Sequence, residues 1–293
     1  MASHLERLVY LNGDYVRGGE AKISIFDRGL LFADAVYEGL GIRNGRIIDL
    51  EKHMGRLRRS LGELNIPEPL SKDELHEVFA KLIAENQISE GFLYLHITRG
   101  EADRDYVYRD NLRANVFAFV QPPEHPGKQV KGVTMRSHPD LRWKRRDIKT
   151  SNLLGQVMAK NAADDTGDYE ALLVDENGIV TEGGATSFFI VKDRQLFVRP
   201  VTNEILHGIT RQSMLQVAAE LDLEIVETTF SLQQAYEADE AFLTGASSYI
   251  QPVVAIDGKE IGAGTGAGPV TRRIRELYKA LIARHVAEQK AQR

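Results

Sequence analysis

Three Asn-Gly dipeptides, Asn12-Gly13, Asn44-Gly45 and Asn177-Gly178, constrain this chain more than any other feature. Each stands between short runs of strand-forming residues: 8–11 and 15–16, 36–42 and 47–50, 171–174 and 179–181. Asn and Gly both tolerate positive φ, which a two-residue hairpin turn demands of both central residues. Residues 188–191 and 196–198 make a fourth strand pair. Strands joined this tightly run antiparallel, because parallel neighbours need a long crossover. Hairpins outnumber strand–helix–strand units, so the chain reads as α+β and not as a doubly wound parallel sheet.

Helices fill the intervals. Asp49 is expected to cap one by accepting from its first free N–H groups. Leu50, Met54, Leu57, Leu61 and Leu64 then recur at three and four, sharing one face. Ser71 and Glu74 form a capping-box pattern for a second helix, which runs to about Asn86. Strands are expected at 92–98 and 116–121. Gln121-Pro122-Pro123-Glu124-His125-Pro126-Gly127 opposes regular structure and marks a boundary. The expected organisation is a small N-terminal α/β domain over 1–121, a linker at 122–128, and a larger C-terminal domain over 129–293, rich in antiparallel strands. In the latter, Leu153, Leu154, Val157 and Met158 predict a helix ending near Gly167. Met214, Leu215, Val217, Ala218 and Leu221 predict another after Thr210, and Val270, Ile274, Leu277, Leu281 and Ile282 predict a C-terminal one.

Composition narrows the chemistry. The 293 residues include no cysteine, so disulfides, thiolate metal sites and cysteine nucleophiles are excluded. A net charge of −5 gives no general attraction to nucleic acid or anionic membrane. The basic run Arg142-Trp143-Lys144-Arg145-Arg146 reads as a solvated face. No stretch approaches the roughly 18 apolar residues of a membrane span, and the first eight residues hold no signal-like apolar run, so the cytoplasm is the expected compartment. There is no His-Glu-x-x-His, no Gly-x-Ser-x-Gly, no Walker loop and no Gly-x-Gly-x-x-Gly in a βαβ unit. No metal is expected, and hydrolases, P-loop enzymes and Rossmann dehydrogenases lose ground.

Three segments remain that make chemical sense together: Arg146-Asp147-Ile148-Lys149-Thr150-Ser151-Asn152-Leu153-Leu154-Gly155, Ile179-Val180-Thr181-Glu182-Gly183-Gly184-Ala185-Thr186-Ser187 and Leu206-His207-Gly208-Ile209-Thr210-Arg211. With Phe26-Asp27-Arg28-Gly29 through Tyr37-Glu38 before them and Phe242-Leu243-Thr244-Gly245-Ala246-Ser247-Ser248 after them, they cover nearly the whole chain. The pattern resembles the class IV (fold-type IV) aminotransferases, and the D-amino-acid aminotransferases most closely.

The resemblance implies pyridoxal 5′-phosphate (PLP) as cofactor. Lys149 matches the lysine that forms the Schiff base with it and carries the proton. Glu182 matches the carboxylate facing the pyridine nitrogen, and Leu206 the apolar residue packed on the ring. Arg56 matches a phosphate-binding arginine, expected to hold two phosphate oxygens with its planar fork. Ile209 and Thr210 match phosphate contacts at a helix start, where free N–H groups favour an anion. Tyr37 and Arg104 match the substrate side, Arg104 at a carboxylate-binding position, and Tyr106 falls beside it at a further substrate-side position.

Departures are visible. The D-amino-acid enzymes carry a histidine where this chain has Tyr106, and hydroxyl residues where it has Gly245 and Ala246. The run Glu38-Gly39-Leu40 looks more like the branched-chain enzymes. The implied activity is ping-pong transamination between an amino donor, D-alanine or a similar D-amino acid, and a 2-oxo acid. An L-branched-chain aminotransferase, an (R)-amine transaminase and a catalytically silent dimeric binding module stand as alternatives. The resemblance also implies a homodimer.

Overall fold

The computed structural model describes residues 3–109, 111–123 and 132–291. The chain forms two compact units, one of Met1–Pro126 with Ile148–Asn152, the other of Gly127–Asp147 with Leu153–Gln292. Most of the linker expected at 122–128 lies outside the described residues. The stretch Ile148–Asn152, which sequence reading leaves in the second domain, belongs with the first unit.

The first unit contains β1 (Leu8–Leu11), β2 (Asp14–Arg17), α1 (Arg28–Phe32), β3 (Ala35–Arg43), β4 (Arg46–Ile47), α2 (Leu50–Glu63), α3 (Lys72–Glu85), β5 (Gly91–Thr98) and β6 (Asn115–Gln121). Its strands form one sheet in the order β2-β1-β6-β5-β3-β4, with every neighbour antiparallel. The two Asn-Gly turns are as expected: φ is 52° and 106° at Asn12 and Gly13, and 49° and 68° at Asn44 and Gly45. Period-two alternation then sorts the side chains. Leu40, Leu93, Leu95, Ile97 and Val120 are buried in a core with Met54, Leu57 and Leu61 of α2 and Phe79 and Leu82 of α3. Each such side chain stabilises the fold by about 2 kcal/mol. The intervening positions Tyr37, Tyr94, His96, Phe117 and Phe119 put an aromatic layer on the opposite face.

The capping box of α3 is present, Ser71 and Glu74 each bonding the other's backbone N–H. Asp49 departs from expectation. It stands at the N-cap of α2 with φ 53° and makes no side-chain cap bond. A capping side chain needs an extended backbone to reach the helix N–H groups; here the carboxylate instead pairs with Lys52 at 3.4 Å.

The second unit contains β7 (Val133–Pro139), α4 (Leu154–Asp164), β8 (Glu170–Val174), β9 (Val180–Gly183), β10 (Ser187–Lys192), β11 (Gln195–Val198), α5 (Ile209–Ala218), β12 (Glu224–Glu227), α6 (Leu232–Tyr236), β13 (Glu240–Gly245), β14 (Tyr249–Ile256), β15 (Lys259–Glu260) and α7 (Pro269–Ala291). The sheet order is β12-β11-β10-β13-β14-β7-β8-β9, with β15 on β14. Its pairs are antiparallel except β11–β12, β14–β7 and β7–β8. The whole is α+β.

Two of its turns differ from the simple Asn-Gly reading. Between β8 and β9, Asp175 Oδ1 accepts from the N–H groups of Asn177 and Ile179, both at 2.9 Å. That side-chain mimic of a turn widens the loop, and Gly178 alone takes a positive φ, 77°. Between β10 and β11 the positive values fall on Asp193 (48°) and Arg194 (62°), with no glycine to announce them. The helix α4 also divides unexpectedly. It buries the small Ala159 and Ala163, while Leu154 is 68% exposed. Alanine lets a helix approach β7 and β8 closely, so the large apolar residues are left outside.

Candidate active site

In the first unit, Lys149 is held by its backbone. Its carbonyl accepts from Tyr37 N at 2.9 Å, its N–H donates to Ser60 Oγ of α2 at 3.3 Å, and Thr150 bridges to Val36. The chain therefore runs along β3, and the side chain, half-buried, places Nζ 4.2 Å from the centroid of the Tyr37 ring. A ring face attracts an ammonium group. Tyr37 in turn stacks on Tyr94 at 5.3 Å, and Tyr94 Oη lies 2.9 Å from His96 Nδ1. Burial lowers His96 to about 4, against a smaller opposing pull from Asp27. His96 is therefore neutral at physiological pH, and it serves as a hydrogen-bonding partner.

Arg56 is where the sequence puts it, on α2 and buried, but its fork is used differently. Nε and Nη2 donate to the two oxygens of Glu38 at 2.8 and 2.7 Å. His53 Nδ1 lies 2.7 Å from the same carboxylate. The two-pronged grip expected on phosphate is thus made on Glu38, to which the sequence reading gives no role in the site. Burial raises Glu38, but the Arg56 charge and the hydrogen bonds of Arg56 and His53 outweigh it and hold the carboxyl at about 2.

Arg104 and Tyr106 lie together on the segment after β5. The Arg104 guanidinium carbon is 5.5 Å from the Phe32 ring and 5.4 Å from the Tyr106 ring, and those rings are 5.5 Å apart. Tyr106, 76% exposed, flanks the arginine with its face.

In the second unit, Glu182 on β9 is buried. Arg142 Nη1 donates to its Oε1 at 2.5 Å and Leu206 N at 3.0 Å. Arg142 is itself divided, since Nε and Nη2 grip Asp140 at 2.9 and 2.8 Å. Burial raises the Glu182 carboxyl, and Arg142 offsets only part of that. The basic run at 142–146 is accordingly not a plain solvated face: the Arg142 side chain is 4% exposed, and Arg146 reaches Asp140 at 3.4 Å. Neither Asp140 nor Arg142 carries a sequence signal beyond that run of charge. The contact of Leu206 with Glu182 is through the backbone.

The helix α5 begins at Ile209, so Thr210 sits inside its first turn and is not its cap. Gly208 is the N-cap, and no side chain caps the helix start. A Cβ on Gly208 would stand 2.8 Å from Ser187 Oγ, and Ser187 pairs with Thr244 across β10 and β13. Gly245 closes β13, and Ala246 follows it. Beside them the hydroxyls of Thr244 and Ser248 are buried without a hydrogen-bond partner among the described residues.

This donor set fits PLP. A buried carboxylate that its arginine only partly compensates favours a protonated ring nitrogen. A helix start with no side-chain cap favours a phosphate at its positive dipole end. Both features suit a site for a pyridine cofactor with a phosphate arm.

Residues 35–256 match the family model described as amino-transferase class IV, and the chain belongs to that family. Among its relatives is a D-alanine aminotransferase of Bacillus licheniformis, 37% identical, the match covering 96% of this chain and 99% of the relative. Another, from Staphylococcus aureus (strain N315), is 34% identical over 94% of this chain and 98% of the relative. Among solved structures, the branched-chain amino acid aminotransferase of Escherichia coli superposes with a TM-score of 0.88 at 27% identity, covering 94% and 95% of the two chains. The branched-chain enzyme of T.th., solved with pyridoxamine 5′-phosphate, gives 0.87 at 29% identity, covering 95% of each chain. Class IV aminotransferases use PLP, and this chain is a PLP-dependent aminotransferase. No helix among the described residues is long and apolar enough to cross a membrane.

Proposed function

We propose that the protein transfers the amino group of a D-amino acid, D-alanine or a close analogue, to a 2-oxo acid by a ping-pong mechanism, as a cytoplasmic homodimer. The observation that carries the substrate is the 37% identity, across 96% of this chain, to a D-alanine aminotransferase. The outward apolar side chains Phe26, Leu30, Leu154 and Val157 support a dimer.

Bound PLP supplies a ring that accepts the electrons released when the substrate Cα loses its proton. Lys149 holds the cofactor and, once released, moves that proton as general base and then general acid. Its pinned backbone leaves only the side chain to swing. Glu182 keeps the ring nitrogen protonated, and Arg142 keeps Glu182 in place. Ile209 and Thr210 give N–H groups to the phosphate, Gly245 and Ala246 add backbone N–H groups, and Arg56 adds charge. Leu206 packs on the ring. Tyr37 borders the substrate, and Arg104, flanked by Tyr106, receives its carboxylate.

An L-branched-chain activity is the second reading. It is favoured by the solved neighbours and by the Glu38-Gly39-Leu40 run. A donor panel decides between them. D-alanine should discharge the visible colour of the loaded enzyme quickly, and L-leucine and (R)-1-phenylethylamine slowly. Faster reaction with L-leucine overturns the D-specific reading. Lys149→Ala should lower turnover about 10⁴-fold and abolish the absorbance of the lysine-bound cofactor; normal turnover would remove Lys149 from its role.

A further inference from the structure

The segment that carries Arg104 is held by a buried charge cluster that no part of the proposed chemistry uses. Arg28 and Arg99 both pair with Asp34, at 2.9 and 2.7 Å, and their side chains are 4% and 7% exposed. One carboxylate facing two guanidiniums leaves the cluster with excess positive charge in a poorly solvated place. Backbone carbonyls absorb it. Arg28 donates to Asp105 O at 2.6 Å and to Tyr106 O at 3.2 Å. Arg99 donates to Leu64 O at 2.6 Å and Asn65 O at 3.1 Å. Leu64 is the C-cap of α2, so a cation there also answers the negative end of the helix. Arg99 lies 3.6 Å from the Tyr108 ring, and Arg28 lies 4.9 Å from the Phe32 ring that borders Arg104.

We propose that Arg28, Asp34 and Arg99 are positioning residues for substrate recognition. Arg28 grips the carbonyls of Asp105 and Tyr106, Asp34 fixes Arg28 beside Arg99, and together they hold Arg104 and its flanking rings ready for a carboxylate. They also tie that segment to the end of α2, the helix whose Ser60 anchors the Lys149 backbone. The proposal rests on the reading that Arg104 receives the substrate carboxylate. The cost of ordering a mobile arginine is then met during folding, not at each binding event. Loss of the grip should therefore appear in KM more than in kcat.

A double-mutant cycle tests this. Arg28→Lys keeps a charge for Asp34 but cannot span both carbonyls. It should raise KM for D-alanine and for the 2-oxo acid about ten-fold, the size of one charged hydrogen bond, with a smaller change in kcat. In the Arg104→Gln background the same substitution should raise KM no further. Asp34→Asn, read in the same cycle, is the second variant should Arg28→Lys fail to fold. An equal rise in both backgrounds, or none in either, overturns the positioning role while leaving Arg104 in place. If Arg104→Gln alone leaves KM unchanged, the carboxylate reading of Arg104 falls, and the proposal with it.

Discussion

Two buried carboxylates, one in each unit, are each paired with an arginine and yet shift in opposite directions. Glu38 in the first unit falls to about 2, although burial pushes it up. Glu182 in the second is raised, burial outweighing Arg142. The difference lies in how the donors are shared. Arg56 gives Glu38 two prongs and His53 adds a third contact. Arg142 gives Glu182 one prong and turns two on Asp140, whose own charge pushes Glu182 further up. A buried acid is thus structural when its cation is undivided, and receptive to another cation when its arginine is divided.

The contrast can be broken in four ways. Glu38→Gln leaves Arg56 buried against a neutral partner and should cost about 3–5 kcal/mol, read by urea unfolding; near-normal stability would mean that the pair is not structural. Next comes acid. Glu38 contributes fully above about pH 4.5, and its contribution is lost as the pH falls toward about 2. The stability gap between wild type and Glu38→Gln should then shrink by about 3 kcal/mol at most. Glu182 slopes the other way, because its raised carboxyl takes up a proton before the unfolded one does. A gap that stays constant across that window refutes the depressed carboxyl.

Glu182→Gln should lower kcat about a hundred-fold while melting closer to wild type than Glu38→Gln does. The reverse ranking would exchange the roles of the two acids. The smallest effect is expected from Asp140→Asn. It frees Arg142 for Glu182 and removes a neighbouring negative charge, so the acid limb of the kcat profile should move to lower pH, with less than about a ten-fold change in kcat itself. An acid limb that moves upward would show that Asp140 does not compete for Arg142.

Sequence discloses local rules well and long-range ones poorly. The turns at Asn12-Gly13 and Asn44-Gly45 and the capping box at Ser71 follow from short-range backbone chemistry, and each is present. The Asp193-Arg194 turn is silent, because nothing local marks two non-glycine residues forced to positive φ by the strands they join. Asp49 looks like a cap because residue type is visible and its φ is not. The residues expected around the cofactor can be named one by one from the resemblance. That the Arg56 fork closes on Glu38, that Arg142 is buried inside a run of charge, and that Thr244 and Ser248 hide their hydroxyls all depend on which strands become neighbours. No spacing in the sequence encodes that.

The stretch Ile148–Asn152 has a consequence for how this protein is made. It completes a unit whose other residues end at Pro126, and chain of the second unit lies on both sides of it. During synthesis β3 emerges early with its outer edge open, and the N–H of Tyr37 must wait for the Lys149 carbonyl. Neither unit can be cut from the gene as one uninterrupted piece. A fragment stopped at the apparent boundary would lack both Lys149 and the segment that covers the edge of β3, and should be prone to pair with copies of itself.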